Sequence, residues 1–187
     1  MAKIIVLLKQ VPDLVEDLEV DASGKALDRS DIKFKLNEFD DHALEEAILL
    51  KESGSADEVV AMAMDGDDVD KMLFTALAKG ADRAVKLTGG NPVDSHQMGK
   101  AFSNALGSEG YDLVFTGVQS VDDRDGQLGP IVASYMNKPC VSVVSGVFVS
   151  GGTAVVHKEY SASIMGEFEV DLPAAVSYTH LTLPTKA

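Results

Sequence analysis

Short apolar runs that alternate with amphipathic segments are the feature that most constrains the fold of this chain. Residues 3–8 read KIIVLL, and a continuous run of β-branched and aliphatic residues is typical of a strand covered on both faces in a parallel sheet. Comparable β-rich runs follow at residues 58–64, 83–87 and 111–116. We interpret these runs as strands of one sheet.

The segments between the runs have the spacing of amphipathic helices. Asp40 or Asp41 can cap the first, which runs to about residue 52 and repeats apolar residues three and four apart. Strands that alternate with helices predict an α/β fold with a doubly wound, mostly parallel sheet. Further helices are predicted over residues 69–79, 95–109 and 127–136.

The pattern changes at residue 141. Residues 141–149, 153–160 and 166–170 are β-rich, and no helical segment separates them. We therefore expect an antiparallel β extension at the C-terminal end. Residues 14–35 alternate less regularly around a Gly-containing turn, which predicts an irregular hairpin.

Composition narrows the possible function classes. A chain of 187 residues with a net charge of −14 fits one domain and lacks the basic surface that binding to nucleic acid or anionic membrane requires. No apolar run approaches the length of a membrane span, so we expect no membrane insertion. The single cysteine, Cys140, cannot form an internal disulfide, and we expect a cytoplasmic protein.

Loops at residues 9–13, 64–66 and 117–127 each follow a predicted strand, so they converge at the carboxyl edge of the sheet. Doubly wound sheets bind ligands at that edge, near the point where strand order reverses. The longest loop, within GVQSVDDRDGQLGP at residues 117–130, leads directly into a predicted helix. Free backbone amides at a helix N-terminus attract anions, so this loop predicts a phosphate site.

Simpler interpretations of the same residues stay open. The acidic loop can be a solvated turn whose aspartates cap the next helix. Lys9 can face a phosphate or be solvated at the end of a strand, and Met64 can line a purine pocket or fill a gap in the core.

Other chemistry has less support. The aspartates at residues 65–68 and 122–125 are better explained as turn formers and caps than as magnesium ligands or an acid-base pair. The four histidines show no metal-ligand spacing, so we expect no metal site. Motifs of nucleophile elbows, P-loops and ordinary dinucleotide folds are missing, and we expect no catalytic residues.

Several blocks together strongly resemble the β subunit of electron-transferring flavoprotein over residues 1–176. They are KQVPD at 9–13, NEFDDHALEEA at 37–47, ALAKGADRA at 76–84, and the acidic loop. The resemblance implies a Rossmann-like, adenine-nucleotide-binding fold and a heterodimer with an α subunit that provides most contacts to a redox-active FAD. It implies an electron carrier between acyl-CoA or other dehydrogenases and an acceptor, whose β subunit binds AMP or, in bifurcating members, a second FAD.

The resemblance also implies a set of cofactor-binding residues. They follow the first two strands, precede the first long helix, or belong to the acidic loop: Leu7, Lys9, Asn37, Glu38, Phe39, Asp40, Met64, Val118, Gln119, Ser120, Val121, Asp122, Asp123, Arg124, Asp125, Gly126, Gln127 and Leu128. Within this set, the amides of residues 125–128 are expected to receive phosphate, and Arg124 to offset the neighbouring carboxylates.

This chain departs from the family in two places. Arg124 and Asp125 stand where the family commonly has Thr or Asn beside Gly-Gln, which removes a hydroxyl contact to phosphate. Residues 177–187 match no family pattern, and we interpret them as a non-native tail in place of the family's docking segment and C-terminal arm.

Two alternatives to the electron carrier stay open. One is a stand-alone adenine-nucleotide-binding regulatory module similar to universal stress proteins, which share the layered fold. The other is a folded remnant that has lost its docking segment.

Overall fold

The fold is a doubly wound α/β structure, seen in a computed structural model that describes residues 2–15, 17–90 and 92–181. None of its helices, over those residues, is both long and apolar enough to cross a membrane. The elements are, in chain order, β1 (Ala2–Leu8), β2 (Gln10–Pro12), β3 (Phe34–Leu36), α1 (Glu38–Glu52), β4 (Ala56–Met64), α2 (Val69–Lys79), β5 (Arg83–Leu87), α3 (Ser95–Glu109), β6 (Leu113–Gly117), α4 (Leu128–Met136), β7 (Cys140–Val144), β8 (Gly146–Ser150), β9 (Thr153–Tyr160), β10 (Ile164–Asp171) and β11 (Ala174–Tyr178).

The central sheet has six parallel strands in the order β5-β4-β1-β6-β11-β7. From β1 the chain moves outward to β4 and β5, and then returns to β6 on the other side of β1. The strand order therefore reverses between β1 and β6, and a crevice opens beyond their carboxyl ends. The predicted doubly wound sheet is confirmed.

Alternate residues of β1 pack into two different cores. Ile4, Val6 and Leu8 join the helices α1 and α2 on one face. Ile5 and Leu7 join α3 and α4 on the other. Because successive side chains of a strand point to opposite faces, a strand covered on both sides must be apolar throughout, which explains the unbroken KIIVLL run.

The C-terminal part differs from the prediction in detail. An antiparallel sheet of β10, β9 and β8 confirms the predicted extension. However, β7 is a parallel strand of the central sheet, although residues 141–149 were expected to be a single antiparallel strand. The chain changes sheets at Ser145, and a continuous β-rich run carries no signal for such a change because both sheets require the same residue types.

Strand β11 lies between β6 and β7 and ends at Tyr178. Ser177 pairs with Thr116, and the fully buried Tyr178 pairs with Gly117. The segment 177–187, interpreted from the sequence as non-native, thus begins inside this strand, and its residues 182–187 lie outside the described part of the chain. The irregular hairpin is closed by β2 and β3 and contains a bridge between Val20 and Leu27.

The N-terminus of α1 lies directly against the end of β6, and Gly117 permits this close approach. A Cβ atom at position 117 would lie 2.7 Å from Phe39 Cβ and 2.8 Å from the Asp40 nitrogen. The end of β6 and the start of α1 would therefore have to separate to admit any side chain.

Substitution of Gly117 tests this packing. We expect Gly117→Ala to lower the free energy of unfolding by roughly 1–3 kcal/mol, because the new methyl group overpacks a rigid contact. The matched control is Gly107→Ala in α3, where a Cβ meets nothing within 4 Å. That variant is expected to gain about 0.5–1 kcal/mol from helix propensity. Urea denaturation measures both, and equal effects would contradict the packing argument.

Candidate functional site

A cleft lies beyond the carboxyl ends of β1 and β6. Parts of the chain that are far apart in sequence meet there: the end of β1, the start of α1, the start of α3, and the loop from β6 into α4. The lining residues are Lys9, Asn37, Asp40, Ser95, Met98, Gly117, Val118, Gln119, Ser120, Asp123, Asp125, Gly126, Gln127 and Leu128.

The Asp40 carboxylate joins the two strand ends. Its Oδ2 accepts a hydrogen bond of 2.9 Å from the backbone nitrogen of Lys9, and its Oδ1 accepts one of 2.8 Å from Gly117. Asp40 lies in the first turn of α1, where the helix dipole favours negative charge. A single buried side chain therefore connects the ends of β1 and β6.

Burial of Asp40 has an electrostatic cost. The residue is 5% exposed, and burial raises the pKa of its carboxyl to about 7 against the opposing effect of the two amide hydrogen bonds. Near neutral pH the group therefore exists in both protonation states.

Lys9 is paired with the acidic loop. Its Nζ lies 2.8 Å from Ser120 Oγ, 2.9 Å from Asp122 Oδ1 and 2.6 Å from Asp123 Oδ2. Burial works to lower the pKa of Lys9, but hydrogen bonds to both aspartates outweigh that effect, and the pKa is raised. The lysine is thus a cation that is already paired with two carboxylates at the cleft, whereas the sequence left open whether it faces a phosphate or is solvated. Arg124, by contrast, is exposed and forms no ion pair with the described residues.

Asn37 carries an unused acceptor in the cleft. The residue is 1% exposed, and its Nδ2 donates a hydrogen bond of 2.9 Å to the carbonyl oxygen of Gln119. Its Oδ1 has no partner among the described residues. A buried carbonyl oxygen without a donor costs free energy, so this atom indicates a ligand that brings an N–H or O–H group.

The loop turns sharply before α4, with Arg124 and Gly126 at positive φ. The amide of Asp125 donates to Asp123 Oδ1 at 3.2 Å, and the amide of Gln127 donates to Asp125 Oδ1 at 3.1 Å. The amides of Gly126 and Leu128 have no acceptor among the described residues. Of the four amides expected at a phosphate, two are therefore occupied by carboxylates of the loop itself.

Close packing holds α4 against the sheet. A Cβ atom at Gly129 would lie 2.9 Å from Thr116 Oγ1 and 3.3 Å from Ser177 Cβ. The first turn of α4 consequently lies directly over the ends of β6 and β11, and residues 126–128, which lead into it, line the cleft.

Sequence reasoning missed Ser95 and Met98, which belong to the first turn of α3. Ser95 Oγ donates a short hydrogen bond to Asp125 Oδ2, and the residue is 8% exposed. The available signal was positional: α3 follows a Gly-containing loop after β5, so its N-terminus must lie at the same edge of the sheet as the other strand-to-helix loops.

Most of the predicted site residues meet in the cleft, and some do not. Leu7 and Met64 pack with the α3–α4 core, which agrees with the core interpretation of Met64. Glu38 and Phe39 lie in the first turn of α1 outside the lining, and Val121, Asp122 and Arg124 are also not among the lining residues, although Asp122 pairs with Lys9. The residues brought together are Lys9, Asn37, Asp40, Val118, Gln119, Ser120, Asp123, Asp125, Gly126, Gln127 and Leu128.

These groups suit a polar organic ligand better than a metal ion. Within the described ranges, no group of three or more His, Cys, Asp or Glu side chains is arranged to hold a metal. The cleft instead offers the unpaired Oδ1 of Asn37, the free amides of Gly126 and Leu128, and Lys9, whose charge is compensated by two aspartates. Such a mixture fits a ligand with hydrogen-bond donors at one end and an anion at the other.

The raised pKa of Asp40 predicts a pH dependence of stability. Folding favours the protonated carboxyl, so this stabilisation is complete below about pH 4 and is lost as the pH rises through about 7. The quantity to compare is the free energy of unfolding of the native chain minus that of Asp40→Asn. We expect this difference to fall by up to about 1.4 kcal/mol per pH unit between about pH 4 and pH 7. Denaturant titrations at several pH values measure the difference, and a pH-independent difference would contradict the assignment.

Comparison with known proteins identifies the family of this chain. Residues 25–181 match the electron transfer flavoprotein domain. The β subunit of Methylophilus methylotrophus is 38% identical over 180 residues, covering 94% of this chain and 68% of the relative. The β subunit of Mycobacterium tuberculosis is 32% identical, covering 95% of this chain and 69% of the relative. The mitochondrial β subunit of rice is also 32% identical, covering 94% of this chain and 70% of the relative. This chain therefore belongs to the electron transfer flavoprotein β-subunit family.

Proposed function

We propose that this chain is an electron carrier subunit that binds an adenine nucleotide in the cleft and completes an FAD site together with an α subunit. The bound FAD supplies the redox chemistry, and the protein supplies binding, orientation and electrostatics. The nucleotide of the cleft is AMP or a second FAD. Acyl-CoA or other dehydrogenases are the proposed electron donors, and a cytoplasmic location belongs to the same proposal.

The orphaned Oδ1 of Asn37 is the observation that carries this proposal. An adenine amino group or a ribose hydroxyl is a donor of the kind this buried oxygen lacks. Because the Asn37 amide is fixed by its bond to the Gln119 carbonyl, the acceptor is held in place before a ligand arrives. Asn37 would therefore select the nucleoside part of the ligand.

The opposite side of the cleft suits the phosphate. The free amides of Gly126 and Leu128 lie at the N-terminus of α4, where partial positive charge favours an anion. Lys9 would add a full positive charge if the ligand displaced both Asp122 and Asp123 from it. A direct contact between Lys9 and the phosphate would thus require a rearrangement of the acidic loop.

Removal of the orphaned acceptor tests the nucleotide site. We expect Asn37→Ala to raise the dissociation constants of AMP and adenosine alike, by about ten- to a hundredfold, because the acceptor serves the nucleoside. The control is Asn104→Ala on the exposed surface of α3, which should leave both constants unchanged. Calorimetric titration measures binding, and thermal melting verifies that each variant is folded. Unchanged affinity in a folded Asn37→Ala protein would exclude this role.

Co-expression with an α subunit tests the proposed partner. We expect a yellow heterodimer, and cofactor extraction then distinguishes simple transfer from bifurcation. One FAD with one AMP indicates simple transfer, whereas two FAD indicate a bifurcating member. A colourless monomer that binds ATP would instead support the regulatory module similar to universal stress proteins, and a folded chain that binds neither nucleotide nor partner would support the remnant.

A further inference from the structure

Asp125 stands at the place where the cleft would hold an anion. One of its carboxylate oxygens, Oδ1, accepts the Gln127 amide at 3.1 Å, one residue before α4 begins. Its other oxygen, Oδ2, accepts the hydroxyl of Ser95 from the first turn of α3. Two helix N-termini thus hold a single carboxylate on the wall of the cleft.

The neighbouring positive charge is also engaged. Lys9 is bound by Asp122 and Asp123, and Asp123 Oδ1 accepts the amide of Asp125 as well. The groups that ordinarily attract a phosphate are therefore largely compensated by carboxylates of this chain. Asn37, whose buried Oδ1 lacks a donor, independently marks the same cleft as a ligand site.

We propose that Asp125 is a specificity-determining residue that favours adenine nucleotides with a singly charged phosphodiester over those with a doubly charged phosphomonoester. The inference rests on the proposed nucleotide site and refines the ligand class that it accepts. A dinucleotide, in which each phosphate carries one charge, belongs to the favoured class, and a nucleoside monophosphate belongs to the disfavoured one.

The physical reason is repulsion between like charges. A phosphomonoester has a second pKa near 6 and is mostly a dianion above pH 7, whereas a diester keeps one charge. Ser95 restrains Asp125, so the carboxylate cannot turn away from an arriving phosphate without breaking a hydrogen bond. Lys9 cannot offset the additional charge unless it first leaves Asp122 and Asp123.

Three ligands of increasing charge separate these effects: adenosine, adenosine 5′-methyl phosphate and AMP. Their dissociation constants at pH 7.5 are to be measured by calorimetry for the native full-length chain, Asp125→Asn and Asp125→Ser. Both substitutions keep a hydrogen-bond acceptor near the Gln127 amide and remove the charge. The charge-matched control is Asp57→Asn, an exposed residue at the start of β4, on the opposite edge of the sheet.

We expect the native chain to bind the methyl ester at least as tightly as AMP. Both Asp125 variants should then bind AMP roughly three- to tenfold more tightly, the methyl ester less so, and adenosine unchanged. Asp57→Asn should alter none of the three constants.

Other results overturn the inference in recognisable ways. If the native chain prefers AMP to the methyl ester, or if folded Asp125 variants bind AMP no more tightly, Asp125 does not select charge, while the nucleotide site stands. If the native chain binds none of the three ligands, the proposed site itself is wrong. An equal gain in Asp57→Asn would assign the effect to net charge rather than to Asp125.

Discussion

The two hydrogen bonds to the Asp40 carboxylate are the interaction on which the rest of the site depends. They connect the ends of β1 and β6, the strands between which the strand order reverses. The contact exists only because Gly117 has no side chain. Its cost is a buried carboxyl whose pKa is raised to about 7, so the geometry of the cleft and its electrostatics have one origin.

The acidic loop gives the cleft an unusual balance of charge. A helix N-terminus and a lysine would normally make a strongly attractive anion site. Here Asp122, Asp123 and Asp125 are bound to those same groups. The charge of −14 in this chain is therefore not only a property of its solvated faces, because part of it lies inside the candidate site. In the proposed function, binding therefore depends more strongly on recognition of the uncharged part of the ligand by Asn37.

Much of the fold could be predicted from local pattern. Residues 3–8 were expected to be a strand buried on both faces, and the alternation of strands and helices fixed the doubly wound class. The family blocks at residues 9–13 and 37–47 agree with the family found by comparison. The pattern failed after residue 140, where β7 and β11 join the central sheet, since strand pairing over long sequence separations leaves no local periodicity.

The sequence by itself determined that polar loops follow the apolar strands and must meet at one edge of a sheet, because strand direction and burial are local properties of residue type. It did not determine which polar groups would be satisfied there. Only the tertiary structure decided that Lys9 is paired with the loop, that Ser95 holds Asp125, and that Asn37 keeps one free oxygen. Hydrogen bonds and ion pairs act over a few ångströms, and only folding brings groups that are 30 to 114 residues apart to that distance.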